Sequence, residues 1–193
     1  MDEFILYVKM GLYHVLDFSA YDHILFLVVL AVIFSFNQLK KVLWLITLFT
    51  IGHTITLALS AYGILKIDVK IVEFLIPVTI FITGLFNLFN LTKTAKSKEN
   101  LNLIFALFFG LIHGLGFSNY FRRMIGKEED KLFPLLEFAL GIEIAQVIIV
   151  LGILIIGTLL QSFFKVSKRD WIMVTSSIVI GFVTPMMIER VFW

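Results

Sequence analysis

Cysteine is absent from the 193 residues. Its absence excludes disulfides, thiolate metal ligands and thiol nucleophiles, so any soft-metal site must rest on histidine or methionine. Charge is also scarce: Asp, Glu, Lys and Arg make up 16% of the chain, where a soluble domain carries roughly 25%. The formal net charge is only +2, and the basic residues sit in short clusters between apolar runs. A nucleic-acid footprint needs one concentrated basic face, so nucleic acid is not an expected partner. The chain opens Met1-Asp2-Glu3, acidic where a removable signal needs basic residues, and no signal peptide is expected.

What is present in excess is apolar surface. Hydrophobic residues reach 60%, with a mean hydropathy of +0.99. No water-soluble fold of this length hides so much, and the remainder must face lipid. A helix needs about 20 mainly apolar residues to cross the hydrocarbon core. Six stretches meet that requirement: 20–37, 41–64, 70–91, 101–120, 132–161 and 171–190. Residues 4–18 are apolar but too short to cross, and predict an interfacial or re-entrant segment. The connections are short, with no linker or second domain. The expectation is therefore all-α: one transmembrane domain over 1–193, a six-helix bundle with a short N-terminal element. No internal repeat pairs the spans into two halves, which weakens an inverted-repeat transporter model.

Charge alone does not orient this bundle. With six spans, the sixteen Lys and Arg divide equally between the two sides. One set (Lys40, Lys41, Lys93, Lys96, Lys98, Lys165, Lys168, Arg169) is nearly free of acids, which favours placing it in the cytoplasm and both termini outside.

Polar groups recur where lipid should be. A charge at the bilayer centre costs at least ~2.5–3.5 kcal/mol on insertion scales, so each needs a partner or a purpose. Asp22 and His23 open the first span, His53 lies midway in the second, and Glu73 opens the third. His113 lies late in the fourth, and Glu143 with Gln146 lies in the fifth. Because alternate spans reverse direction, His14, Asp22, His23, Glu73 and His113 fall toward the N-terminal face, with His53 and Glu143 nearer the middle. All four histidines of the chain are thus compatible with one site. Histidine nitrogens and carboxylate oxygens without sulfur suit Ni, Co, Zn, Cu(II) or Fe(II). No i, i+4 histidine pair occurs, so the ligands must converge from different helices, as in bundle-core metal sites.

Each residue also has a plainer reading. Asp22–His23 suits a helix cap, His53 a hydrogen-bonded core histidine, and Glu73 a membrane boundary. Glu143 and Gln146 suit a polar stitch between helices. The glycines of Gly110-Leu-Ile-His-Gly-Leu-Gly116 serve either close helix packing or access to His113. Asn87 and Asn90 suit interhelical hydrogen bonds, with Asn87 also a candidate to support the site from behind. Glu137 lies roughly 240° around the helix from Glu143 and is left out.

The stretches Asp22-His-Ile-Leu-Phe26, Phe49-Thr-Ile-Gly-His-Thr-Ile-Thr-Leu57, Val72-Glu73, Phe109-Gly-Leu-Ile-His-Gly-Leu-Gly-Phe117 and Phe138-Ala-Leu-Gly-Ile-Glu-Ile-Ala-Gln146 resemble the HupE/UreJ family of small bacterial membrane proteins, specifically its second subgroup. They cover five of the six spans in order. Ala139, Ala145 and Thr54 depart from the family pattern, and His14 stands further from Asp22 than usual. The resemblance implies a six- or seven-helix protein of the bacterial inner membrane linked to nickel or cobalt uptake. It also implies a site toward the extracytoplasmic face. The residues it carries over are Asp22, His23, His53, Glu73, His113, Glu143 and Gln146.

Three functions remain open on this reading. A metal permease would capture an ion on ligands from separate helices and release it by rearrangement. A membrane-embedded hydrolase would use a metal-bound water and a nearby carboxylate on a lipid or lipid-linked substrate. A sensor or assembly subunit would bind the metal without turnover. The expected partners are the bilayer and one or two divalent ions, and homo-oligomer formation stays open.

Overall fold

The computed structural model describes residues 3–18, 20–91, 99–125 and 130–193, with backbone only for 99–102. The chain folds as α1 (Glu3–Leu16), α2 (Asp22–Ala31), α3 (Leu39–Ala61), α4 (Val69–Phe89), α5 (Glu99–Ile125), α6 (Leu132–Phe163) and α7 (Lys168–Glu189). A 3-10 turn at Phe36–Gln38 precedes α3. The expected all-α bundle is observed, and no strand occurs among the described residues. The Lys93, Lys96 and Lys98 cluster lies outside them.

Among the described residues, five helices are long and apolar enough to cross a membrane, where six spans were expected. The difference is the first. Residues 20–37 form only a ten-residue helix, α2, about 15 Å long at 1.5 Å per residue. That is half the hydrocarbon thickness. Seven of its ten residues are buried, so its all-round apolar surface packs inside the bundle and not against lipid. Its neighbours are α1, α4, α6 and α7.

A sequence signal explains the break. Ser35-Phe-Asn-Gln38 is a capping box, and Ser35 N donates to Gln38 Oε1 at 3.2 Å, starting the next helix. The segment still joins both ends of the bundle. Asp22 Oδ2 faces Arg190 Nη1 beyond the C-terminus of α7 at 3.6 Å, while Ser35 Oγ accepts from Lys168 Nζ at its N-terminus at 3.2 Å.

The N-terminal element is too short to cross, as expected, and packs lengthwise on α6. Tyr7, Gly11 and Val15 form its buried stripe at four-residue spacing. A Cβ at Gly11 would strike the carbonyl of Phe138, and one at Gly141 that of Val8. The same small-residue contact joins α3 to α5. Methyl groups at Gly52, Gly110 or Gly114 would collide with the backbone of Leu107, Phe49 or His53. The packing reading of these glycines therefore holds, and it fixes the site, because His53 and His113 project from the two helices it clamps. The outer faces carry bare apolar side chains, among them Trp44, Ile51, Leu140, Ile148 and Ile155. This is a multi-pass membrane bundle.

Candidate metal centre

Four helices each supply one imidazole: His14 near the end of α1, His23 at the start of α2, His53 on α3 and His113 on α5. Ring centroids lie 4.6 Å apart for His14–His23, 5.8 Å for His14–His53, 6.2 Å for His23–His53 and 5.4 Å for His23–His113. Donor atoms of His14, His23 and His53 all fall within 4.8 Å of one another. Two nitrogens on one ion are separated by at most about 4.2 Å, twice the ~2.1 Å metal–nitrogen bond, so this triad needs only slight contraction. His113 neighbours His23 but lies outside the triad.

The nitrogens are arranged to accept a cation. His14 Nε2, His23 Nε2, both nitrogens of His53 and His113 Nε2 are buried without a hydrogen-bond partner among the described residues. Unpaired buried polar atoms are costly, and such a concentration is unusual in a folded chain. Two of the rings also have a defined tautomer. His23 Nδ1 donates to Asp22 Oδ1 at 3.0 Å, and His113 Nδ1 donates to the Phe109 carbonyl at 2.9 Å. Each acceptor can only receive, so Nδ1 carries the proton and Nε2 presents its lone pair, the usual support for a metal-bound histidine. The donor set fits a divalent ion of the borderline class. His14 lies in α1, outside the spanning helices, and burial, with His23 and His53 beside it, holds its pKa well below the ordinary value. Neutral imidazole, the ligating form, is thereby favoured.

Aromatic rings wall the cluster. Phe117 and Phe138 pack on His14 with centroids at 4.0 and 5.6 Å, while Phe26 and Phe49 pack on His113 at 5.2 and 5.0 Å. They keep bulk water out and strengthen electrostatic interactions inside.

The family model described as HupE / UreJ protein matches residues 1–190. The chain belongs to the HupE/UreJ family. No curated protein and no solved structure matches it.

Not every residue singled out in the sequence of this HupE/UreJ protein joins the imidazoles. Asp22 touches His23 but spends one oxygen on that ring and turns the other to Arg190. Glu143 accepts from Thr47 Oγ1 at 2.6 Å and Thr50 Oγ1 at 2.5 Å. Gln146 Oε1 lies 3.0 Å from the same Thr50 hydroxyl, whose single proton goes to Glu143, and its Nε2 is buried and unpartnered among the described residues. The Glu73 side chain is exposed, and its carbonyl accepts from Arg190. Asn87 donates to the Val29 carbonyl and to Ser176 Oγ, so it ties α4 to α2 and α7 two turns from His23. That is the helix-bonding role, not support of the imidazoles. Glu137, half-buried, shares no hydrogen bond with the cluster among the described residues.

Nothing in the sequence marked three residues that partner the singled-out carboxylates in this HupE/UreJ protein: Thr47, Thr50 and Arg190. Thr47 and Thr50 were hidden because a threonine pairs readily with its own helix, although they stand about two turns and one turn from His53. Arg190 was hidden because a basic residue at a span end is ordinary.

Proposed function

We propose that this protein moves a divalent transition ion of the nickel or cobalt class across the bacterial inner membrane. The observation that carries the reading is the set of five buried, unpartnered imidazole nitrogens contributed by four different helices. A donor set split among helices can be opened by moving any one of them, which a transport site requires and a storage site does not.

Two further features favour transport over hydrolysis. Thr50, Gln146, Glu143 and Thr47 extend polarity from His53 along the α3–α6 seam toward the Leu39 end of α3. At that end a cavity of about 200 Å³ is lined by Ser35, Asn37, Thr158, Gln161 and Ser162 over an apolar floor that includes Ile153 and Leu154. At roughly 30 Å³ per water it has room for about six, enough to rehydrate a departing ion. Conversely, Glu143 turns to Thr47 and Thr50, and Asp22 to His23 Nδ1 and Arg190, so neither carboxylate joins the triad's donor atoms as a general base beside a metal-bound water would. The undiluted lysines near Lys40 and Lys168 favour a cytoplasmic position for this cavity, with the Asp22–Arg190 end outside.

Purified protein in sealed vesicles should accumulate Co²⁺ or Ni²⁺, and His53→Ala should abolish both uptake and metal retention. Retention without flux would refute transport and leave a sensing or hydrolytic role.

A further inference from the structure

We infer that the Arg190 guanidinium occupies a cation entry seat at the outer mouth, from which an arriving divalent ion must displace it. The inference rests on the metal-ion reading above and concerns how that site is reached.

The seat is built by three helices. Pro77 lies inside α4 and has no N–H, so the carbonyl four residues earlier, that of Glu73, lacks its helical donor. Arg190 Nη1 takes that carbonyl at 3.3 Å and faces Asp22 Oδ2 at 3.6 Å. The positive head thus sits between a proline-freed carbonyl and a carboxylate, two oxygens of the kind that hold a hard or hydrated cation. The other oxygen of the same carboxylate holds His23 Nδ1 at 3.0 Å. One aspartate therefore links the occupied seat to an imidazole of the triad, and the exposed Glu73 side chain lies beside the entrance.

Charge gives the seat its function. Asp22 is shared between Arg190 and the histidines, so a dication near His23 and the guanidinium compete for one negative charge. The Asp22 side chain is 10% exposed, whereas that of Arg190 is 30% exposed. Arg190 can therefore swing to water while Asp22 stays. Its departure frees two oxygens at the mouth and supplies the negative charge that an all-imidazole triad lacks. When no ion is present, its return fills the opening and ties the outer ends of α2, α4 and α7 together.

Binding coupling is reciprocal, so the claim has two readouts. Full-length protein in detergent is titrated with Co²⁺, read by its visible absorption, for the native chain and for Arg190→Gln. The variant should bind more tightly by roughly five-fold or more, the lower range of such couplings. In the native chain, saturating Co²⁺ should raise phenylglyoxal modification of Arg190 several-fold while Arg169, at the opposite end, stays constant. This second readout needs no substitution. If the native chain binds no Co²⁺, the metal-ion reading falls and the entry seat with it. If the native chain binds Co²⁺ but Arg190→Gln binds equally or more weakly, or Co²⁺ protects Arg190, the entry seat alone is refuted.

Discussion

Asp22 Oδ1 lies 3.0 Å from Nδ1 of His23, the adjacent residue, and also accepts the His23 backbone N–H at 2.9 Å. The carboxylate thereby fixes the ring and its tautomer from behind while Nε2 faces His14 and His53. Asp22→Asn keeps the shape but offers a weaker, neutral acceptor that can also turn a donor to the ring. Loss of such support typically costs 10–100-fold in metal affinity, and Co²⁺ titration should show about that loss. An unchanged affinity would mean that His23 is not a ligand. The effect is opposite in sign to that expected of Arg190→Gln, although both remove one member of the same ion pair.

The α3–α5 crossing should be as sensitive as the ligands. Gly114→Ala places a methyl against the carbonyl of His53 and the hydroxyl of Thr56. Overpacking of this kind typically costs 1–3 kcal/mol, and here it also separates His53 from His113. Thermal unfolding in detergent should shift down, and the increase in Tm on adding Co²⁺ should shrink. Gly181→Ala, where a Cβ meets nothing within 4 Å, is the matched control and should lower neither.

Acidity should act on stability before it acts on loading. The pKa of His14 is lowered in the folded chain, chiefly by burial and then by the charges of His23 and His53. A histidine with a lowered folded-state pKa contributes stability that is present above its unfolded value, about 6.5, and is lost as pH falls toward the folded value. The metal-free protein should therefore lose Tm progressively below about pH 6.5. Ion loading should hold through the upper part of that window and fall only in more acidic solution, where protons reach the folded ligands. Metal analysis after dialysis at stepped pH, beside thermal scans of the same samples, checks both parts. Loading that begins to fall at or above the ordinary histidine value would contradict it.

Much of this was legible in the chain alone. Apolar runs of about 20 residues in so hydrophobic a chain point to membrane helices, where the backbone must satisfy its own hydrogen bonds. Histidines are expensive in such runs, so three of them there, with His14 just ahead of the first, were compatible with one shared site. The absence of cysteine already excluded thiolate ligands.

Tertiary structure decided the remainder. Composition cannot distinguish lipid-facing from protein-facing apolar residues, so α2, buried inside the bundle, read as a full span although Ser35 and Gln38 begin a new helix. His14 lies in an element too short to span, and only the Gly11–Gly141 contact brings it to the triad. Asp22, Glu143 and Asn87 all read as site residues because their side chains are polar. Their partners are Arg190, the threonine pair and the Val29 carbonyl, each on a helix distant in sequence. Which polar group meets which across a bundle depends on helix rotation and close approach, and those are set by the glycine contacts of the folded chain.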